Sequence, residues 1–558
     1  MPGTMISGHA VAFLLLVQLG YHSALRSPST CCPAPCQCFS VTTMICSDDQ
    51  MMVIPLDIPS QVKTLIVVAS GMGAVTPTGM GAVTPTGMGA VTPTGMGAEI
   101  PQLTKLVLLN NPIRSISPLA FDSLVSLEEL EISGSPLTSI EVGTFHKQAN
   151  LTKLLLNNNK LSYLVAGMFD FQQKLEKLQM KGNFLMFLSG TLFRNLHNLR
   201  ELDLSLNRLD SIDADHFSLL RKLRTLDLDL NQISSLSPYS FSANPQLKTL
   251  SLRGNRIAWL PQEIFAQLNN LEELNLKDNR IAELSVGVLP SSLKKLTLRG
   301  NSLAQLSSST FGRLEYLTYL DLSQNQLSVL PAELFQNLTA LQHLDMSENQ
   351  LKVLPATIFR GLFLIRVILL QINKLGSLEA DLFKDQEMIS KLYLSGNSLQ
   401  SVPYAFFDPL DFQGLVQLHG NPWRCDCGLQ YLHEWLNYSS NSMEDLTQVY
   451  CSSPEPLKGM SLTSLDKEQL VCVNSSRFNS TRPSDTIKIT STTATSATKQ
   501  CTLQDINGTI AITCKLMECP DFKIEAHFEH LNRDYSYISR KTFPEFSQCS
   551  NVTVTLTV

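Results

Sequence analysis

A motif that returns every 24 residues constrains this chain more than any other feature. It first reads Leu103-x-x-Leu106-x-Leu108-x-x-Asn111-x-Ile113 and recurs in phase as far as Leu399. Later copies fill the asparagine position with Ser135, Asn159, Asn183, Asn207, Asn231, Asn255, Asn279, Asn301, Asn325, Asn349, Asn373 and Asn397. One copy is too short to bury its own apolar face, so successive copies must stack around a single continuous core.

This period and motif are those of the leucine-rich repeat. Each Leu-x-Leu segment, for example Leu226-Asp227-Leu228, alternates inward and outward as a β-strand does. A large apolar residue, usually Phe, follows in the second half of each copy and should fill the convex side. The sequence therefore predicts an α/β leucine-rich-repeat solenoid with a parallel β-sheet on its concave face and an irregular convex side. The short copy around Val286 to Ser292 lacks the Phe, and we expect irregular curvature there.

The repeated asparagine has a structural explanation that needs no ligand. At the end of each strand its amide can turn inward and pair with backbone groups that would otherwise be buried without a partner. An apolar residue could not do this.

The ends of the chain differ in composition from the repeats. The 558 residues contain 13 cysteines, with none between Cys46 and Cys425, which is typical of disulfide clusters in an exported protein. The apolar run Val11 to Leu19 fits a secretory signal and is too short to span a bilayer. These patterns predict the following organisation: a signal peptide (1–24), an N-terminal cysteine cap with a first strand (32–70), a low-complexity insert of GMGAVTPT octads (71–98), the repeats (99–410), a C-terminal cysteine cap (411–472), a Ser/Thr-rich linker (473–500) and a small disulfide-bonded β-rich tail (501–558).

Several features of these ends stay open. The tail cysteines can pair in three ways, and the sequence does not choose among them: Cys501, Cys514, Cys519 and Cys549. Cys31 is left over beside the N-terminal cap. Nothing after Cys472 is long and apolar enough to span a membrane, so we expect a secreted chain. N-glycosylation sequons, frequent by chance but accessible in most secreted chains, lie at Asn150, Asn337, Asn437, Asn474, Asn479, Asn507 and Asn551.

The outward residues of the strands supply the candidate site. They sort into an acidic segment, a basic segment, a second acidic segment and apolar ends, and sorted charge can orient a protein partner. The competing interpretation is a solvated face with incidental charge. The candidate partner-binding residues are Leu155, Asp203, Asp227, Asp229, Arg253, Lys277, Arg299, Asp321, Asp345, Leu369 and Tyr393.

Catalysis, cofactors and nucleic acid are not suggested by this sequence. It contains no H-E-x-x-H, G-x-S-x-G or phosphate-loop motif, so we predict no catalytic residues, no metal and no cofactor. The formal charge of −6 argues against nucleic acid as the main ligand. Binding is the predicted activity.

Beyond the repeats, the two caps resemble those of extracellular leucine-rich repeat proteins. Three further stretches resemble the regulatory, non-catalytic subunits of carboxypeptidase N: Cys46-Ser-Asp with Ile54-Pro-Leu-Asp-Ile-Pro59, His419-Gly-Asn-Pro-Trp-Arg-Cys-Asp-Cys427, and Leu457-Lys-Gly through Glu468-Gln-Leu-Val-Cys472. The four-cysteine tail strengthens the likeness, while the octad insert and Cys31 depart from it. The cap families imply the disulfides Cys32–Cys38, Cys36–Cys46, Cys425–Cys451 and Cys427–Cys472.

The same resemblance implies a function. It describes a plasma glycoprotein that binds the catalytic subunit of carboxypeptidase N, a zinc carboxypeptidase. In that assembly two catalytic and two regulatory chains form a hetero-tetramer, and the regulatory chain stabilises the enzyme and retains it in the circulation. Two alternatives remain: a receptor-like or matrix leucine-rich-repeat protein for another secreted ligand, or a soluble innate-immune recognition factor.

Overall fold

The computed structural model describes residues 32–52, 54, 55, 57–75, 100–410, 415–438 and 448–472, together with five strands between 500 and 557. The chain divides into two compact units, Met1–Val473 and Asn474–Val558. The predicted signal peptide, Cys31, the octad insert from residue 76 onward and the linker up to residue 499 lie outside the described residues.

Short strands at regular intervals build the first unit. In chain order they are β1 (Cys36–Ser40), β2 (Thr43–Cys46), β3 (Thr64–Val68), β4 (Ala74–Val75), β5 (Lys105–Leu109), β6 (Ser115–Ile116), β7 (Glu129–Ser133), β8 (Lys153–Leu155), β9 (Lys177–Gln179), β10 (Glu201–Asp203), β11 (Ser211–Ile212), β12 (Thr225–Asp227), β13 (Ser235–Leu236), β14 (Thr249–Ser251), β15 (Glu273–Asn275), β16 (Lys295–Thr297), β17 (Tyr319–Asp321), β18 (His343–Asp345), β19 (Val367–Leu369), β20 (Lys391–Tyr393), β21 (Leu415–Gln417), β22 (Trp423–Arg424) and β23 (Cys451–Ser453).

One sheet of seventeen strands dominates the described part of this unit. β1 and β2 pair antiparallel, and every later neighbour in the sheet is parallel, so that Leu202 lies opposite Leu226. The short copy keeps this register, because Leu274 faces Leu296 across β15 and β16 although only 22 residues separate them. The predicted parallel solenoid is confirmed. Three two-stranded pairs lie outside the large sheet: β4 with β6, β11 with β13, and β22 with β23.

Phenylalanine fills the convex half of the core. Eleven such residues are buried from Phe121 to Phe383, and stacked neighbours have ring centroids 5.3 to 6.5 Å apart. In the short copy, where the sequence lacks Phe, Val288 and Leu289 are buried instead. The core therefore continues through this copy with smaller side chains.

The asparagine amides form a second ladder through the core. Asn231 is typical: its Nδ2 donates to the carbonyl oxygens of Leu204 and Leu228, both at 3.0 Å, and its Oδ1 accepts from the Leu209 N–H at 3.1 Å. These bonds tie each coil to the one before it. The ladder has one weak point, because the buried Ser135 hydroxyl has no hydrogen-bond partner among the described residues.

Both ends of the array are closed by disulfide-bonded segments. The bonds are Cys32–Cys38, Cys36–Cys46, Cys425–Cys451 and Cys427–Cys472. At the C-terminal end Trp423 is fully buried and donates from Nε1 to the Leu418 carbonyl at 3.2 Å. Helix α1 (Gln430–Tyr438) buries Leu432 and Leu436. Its Trp435 stacks on Phe407 with ring centroids 4.3 Å apart. Short 3-10 helices complete this region at Cys427–Leu429, Glu455–Leu457, Leu462–Ser464 and Lys467–Gln469.

The second unit consists of antiparallel strands. These are β24 (Gln500–Ile506), β25 (Thr509–Lys515), β26 (Lys523–Glu529), β27 (Ser536–Thr542) and β28 (Val552–Thr557). β25 lies between β24 and β28, and β26 pairs with β27. The register places Cys501 opposite Cys514. Cys519 and Cys549 lie outside the described residues.

Candidate protein-binding surface

The concave sheet presents outward side chains in columns. In β10 the central Leu202 is buried, which turns Glu201 and Asp203 toward the concave side. Because neighbouring strands are parallel and in register, the equivalent residues of successive coils stand side by side about 4.8 Å apart. The candidate partner-binding residues occupy two of these columns, and all but two of them are half-buried.

The acidic segment is a cluster of three carboxylates held by local hydrogen bonds. Asp203 Oδ1 accepts from the Ser205 N–H at 2.9 Å, and Asp227 Oδ1 accepts from the Asp229 N–H at 2.9 Å. Asp229 Oδ1 in turn accepts from Ser251 Oγ at 2.5 Å and from the Arg253 N–H at 2.8 Å. Each side chain is thereby fixed before any partner arrives.

Two of these carboxyl groups have unusual proton affinity. Burial raises the pKa of Asp227 to about 6, and the neighbouring charges of Asp229 and Asp203 act in the same direction. Burial likewise raises the pKa of Asp229. A cationic partner group would lower both values, because an opposite charge favours the ionised form. The acidic segment therefore suits a cation on a partner.

The basic segment is only partly neutralised within the chain. Arg253 Nε lies 3.4 Å from Asp278 Oδ2, and Arg299 NH2 lies 3.5 Å from Glu348 Oε1. Within the described residues Lys277 forms no ion pair. This half-buried ammonium group is the one in the segment that is free to meet a carboxylate.

The second acidic segment does not lie on the exposed surface, contrary to our expectation. Asp321 and Asp345 are only 5% and 7% exposed. Each carboxylate folds back onto the serine two residues later, as half-buried Asp203 also does, so the deeper burial depends on the side chains of the neighbouring coils. Asp321 Oδ1 accepts from Ser323 Oγ at 2.6 Å, and Asp345 Oδ1 from Ser347 Oγ at 2.6 Å. Neither is a good candidate for partner contact.

Toward its C-terminal end the concave face presents aromatic and aliphatic side chains. Leu369 and Tyr393 are half-buried and adjacent in register, and Lys391 Nζ lies 4.6 Å from the centre of the Tyr393 ring. Tyr319 and His343 stack at 4.4 Å in the neighbouring column. Leu155 holds the equivalent position near the N-terminal end, also half-buried. Of these side chains, the tyrosines are of the type that is enriched at interface cores.

Of the seven predicted sequons, three lie in the described part of the chain. Asn150 and Asn337 are exposed, and each Nδ2 donates to a carbonyl of the preceding coil, Val125 and Gly312 respectively. Asn437 is exposed on α1. The other four fall outside the described residues: Asn474, Asn479, Asn507 and Asn551.

Sequence reasoning missed a polar ladder on the convex side. Gln172 is buried and donates from Nε2 to the Phe145 carbonyl at 2.6 Å, and Asn244 donates to Phe217 at 3.0 Å. These residues stand three positions after the repeated Phe, where other copies have Leu. A polar residue at a position that is otherwise Leu was the signal from which these buried hydrogen bonds could have been predicted.

The comparisons with known proteins agree with this architecture. A family model for the leucine rich repeat matches residues 101–161, 125–185, 173–233, 197–257, 221–281 and 291–351, and a second such model matches residues 270–296. Residues 101–351 therefore consist of leucine-rich repeats. A solved leucine-rich repeat protein of Leptospira interrogans aligns with a TM-score of 0.59 and 26% identity, covering 71% of this chain and 93% of that one.

Among curated proteins, the chain is similar to carboxypeptidase N subunit 2. The human protein is 32% identical over 150 residues, which is 26% of this chain and 27% of that protein. The Mus musculus protein is 32% identical over 112 residues, or 19% and 20%. The chain thus aligns with about a quarter of these relatives' length. The predicted resemblance to the regulatory subunit of carboxypeptidase N is confirmed, and the similarity supports a protein-binding role for the repeats.

Proposed function

We propose that this chain is a secreted, non-catalytic glycoprotein subunit that binds a plasma zinc carboxypeptidase, stabilises it and keeps it in circulation. The observation that carries the proposal is the similarity to carboxypeptidase N subunit 2. In the proposed assembly two such chains join two catalytic chains. The repeats supply the binding surface, and the enzyme supplies the zinc and the catalytic residues.

The concave face is the proposed contact. It is a rigid surface, because hydrogen bonds between coils fix the strands, and hydrogen bonds within a coil fix the side chains of Asp203 and Asp227. The acidic cluster and Lys277 offer charges of both signs to a partner, while Leu369 and Tyr393 offer apolar contact. Complementary charge would orient the enzyme, and the apolar groups would hold it.

The first experiment is a pull-down of the full-length secreted chain from plasma of its own source, with mass spectrometry of the bound proteins. We expect a basic-specific metallocarboxypeptidase in stoichiometric amount. With the purified pair, the chain should lengthen the half-life of carboxypeptidase activity at 37 °C. A pull-down without the enzyme would refute the proposal and favour the receptor-like alternative.

A charge-reversal variant tests the face. Asp203→Lys, Asp227→Lys and Arg253→Glu together should weaken the complex by about tenfold or more, because like charges would then face the partner. The matched control reverses three exposed charges of the same signs on the convex side: Glu263→Lys, Glu333→Lys and Arg360→Glu. Equal affinity of the two variants would remove the concave face from the proposal while leaving the partner in place.

A further inference from the structure

A compact basic segment lies on the edge where the chain enters the concave sheet. It reads Leu220-Arg-Lys-Leu-Arg-Thr225. Leu220 and Leu223 are fully buried, whereas Arg221, Lys222 and Arg224 are all exposed. The two leucines therefore anchor the turn in the core, and the three cations project from the same coil into solvent. Short Lys/Arg-rich segments of this kind are typical of polyanion-binding surfaces.

Neighbouring coils extend the segment into a column of positive charge. Arg200 and Lys248 hold the position of Arg224 in the coils before and after it. The Arg224 N–H donates to the Arg200 carbonyl at 2.8 Å, and the Lys248 N–H donates to the Arg224 carbonyl at 2.8 Å. Three cations thus stand in line at the spacing of adjacent strands, about 4.8 Å.

The middle charge of this column, Arg224, is not neutralised within the described chain, and neither are the adjacent Arg221 and Lys222. At its ends Arg200 NH1 lies 3.5 Å from Glu176 Oε2, and Lys248 Nζ lies 2.8 Å from Glu272 Oε1. Arg224 and Arg221 form no ion pair with any described residue. Lys222 donates only to a neutral group, Asn198 Oδ1, at 2.7 Å. Two other lysines beside this column are paired with acids, Lys177 with Glu201 at 2.7 Å and Lys153 with Glu129 at 2.5 Å.

A groove of about 380 Å³ runs along the column. It crosses five coils, from Thr152 to Thr249, which corresponds to about 19 Å at the spacing of strands. Two acidic residues and three threonines line it together with five cations, which are Lys153, Lys177, Arg200, Arg224 and Lys248. Five cations against two acids give the lining a net charge of +3, and its hydroxyl groups can donate to anionic oxygens. Ion pairs engage every lining cation except Arg224, which stands beside the exposed Arg221 and Lys222.

We propose that this basic groove binds a linear sulfated polysaccharide. A row of cations at regular spacing matches a chain with repeated anionic groups, and guanidinium groups bind oxyanions through two parallel hydrogen bonds. Single-stranded nucleic acid would need aromatic side chains for base stacking, and the groove lining contains none. A membrane surface would need apolar side chains beside the cations, and the lining again contains none.

The test uses the full-length secreted chain and immobilised heparin, with binding measured at several salt concentrations. The variant Arg221→Ala, Lys222→Ala and Arg224→Ala should bind about tenfold more weakly or worse. The slope of the logarithm of the binding constant against the logarithm of the salt concentration should decrease in magnitude by about two. The control variant removes three exposed cations that form no ion pair in the described chain: Arg280→Ala, Lys352→Ala and Arg360→Ala. This control has the same net charge as the first variant, and it should bind heparin as tightly as the wild type does.

Desulfated heparin of equal length should bind far more weakly than heparin. The proposal is overturned if wild type does not bind heparin, if both variants bind equally, or if desulfated heparin binds as tightly. Tighter binding to phosphatidylserine vesicles or to single-stranded RNA would overturn it too. Unchanged thermal unfolding of the variant shows that its fold is intact, and retained carboxypeptidase binding would separate this site from the proposed partner surface.

Discussion

The asparagine ladder can be tested by replacing one of its members with the residue that the chain itself uses once. In the substitution Asn231→Ser the shorter side chain cannot span the gap to the preceding coil. Ser135 demonstrates this, because its buried hydroxyl finds no partner among the described residues. Asn231 donates to Leu204 and Leu228 and accepts from Leu209. The two carbonyl groups keep a second donor, Asn207 for Leu204 and Asn255 for Leu228, so the Leu209 N–H is the group that would be left without a partner.

The structure sets the magnitude of this loss. A hydrogen bond contributes about 1 kcal/mol net, and a buried group left without a partner costs about 1 to 3 kcal/mol. One buried N–H is left without a partner and two carbonyl groups each lose one of two donors, so we expect a decrease of about 2 to 3 kcal/mol in the free energy of unfolding. The reciprocal change, Ser135→Asn, should add about 1 kcal/mol, since it restores the missing rung.

Equilibrium unfolding in urea measures both changes, and amide hydrogen exchange locates them, because a solenoid can open by groups of coils. The matched control is Asn270→Ser. Asn270 is exposed and donates one hydrogen bond, to the Pro245 carbonyl at 2.8 Å, so its loss should cost under about 1 kcal/mol. Equal destabilisation by Asn231→Ser and Asn270→Ser would refute the reasoning.

Three further changes test other parts of the fold. Phe217→Ala removes a fully buried ring stacked between two others and should cost about 3 to 5 kcal/mol by urea unfolding, whereas Phe171→Ala at an exposed position should cost little. Burial raises the pKa of Asp227 to about 6 from 3.8, so the folded chain binds more protons between these values and gains stability as the pH falls through 6. Asp227→Asn should therefore stabilise the chain at pH 7 more than at pH 4, and an equal effect at both would contradict this. Trp435→Ala removes the contact with Phe407 and should speed hydrogen exchange in the last coil; unchanged exchange would show that the helix is held by other contacts.

Several features of the fold could be predicted from the sequence alone. The positions of the concave strands from β5 to β20 follow from the repeated motif, because stacked coils repeat the same local geometry. The short strands β6, β11 and β13 outside the large sheet were not predicted. The amide role of Asn231 followed as well, since a strand end buried in a core needs a partner for its backbone. The convex polar ladder of Gln172 and Asn244 was visible in the sequence, but its meaning required the carbonyl groups of the preceding coil.

The exposure of the aspartate side chains in the candidate site could not be predicted from the sequence. Asp203 and Asp321 occupy the same column and each bonds a serine two residues later, yet Asp203 is half-buried and Asp321 is buried. The difference depends on which side chains stand in the neighbouring coils. These neighbours lie about 24 residues away in sequence and are brought beside each carboxylate only by stacking.

The sequence by itself determined the repeating coil, its register and the composition of its core, because these depend on a pattern carried within each copy. The tertiary structure decided which charges remain available. Arg224 has no ion pair in the described chain, while Lys248 in the same column is paired with Glu272. Such pairs join different coils through long side chains with several rotamers. Their formation is therefore settled by the packing of neighbouring coils, and no motif within one repeat encodes it.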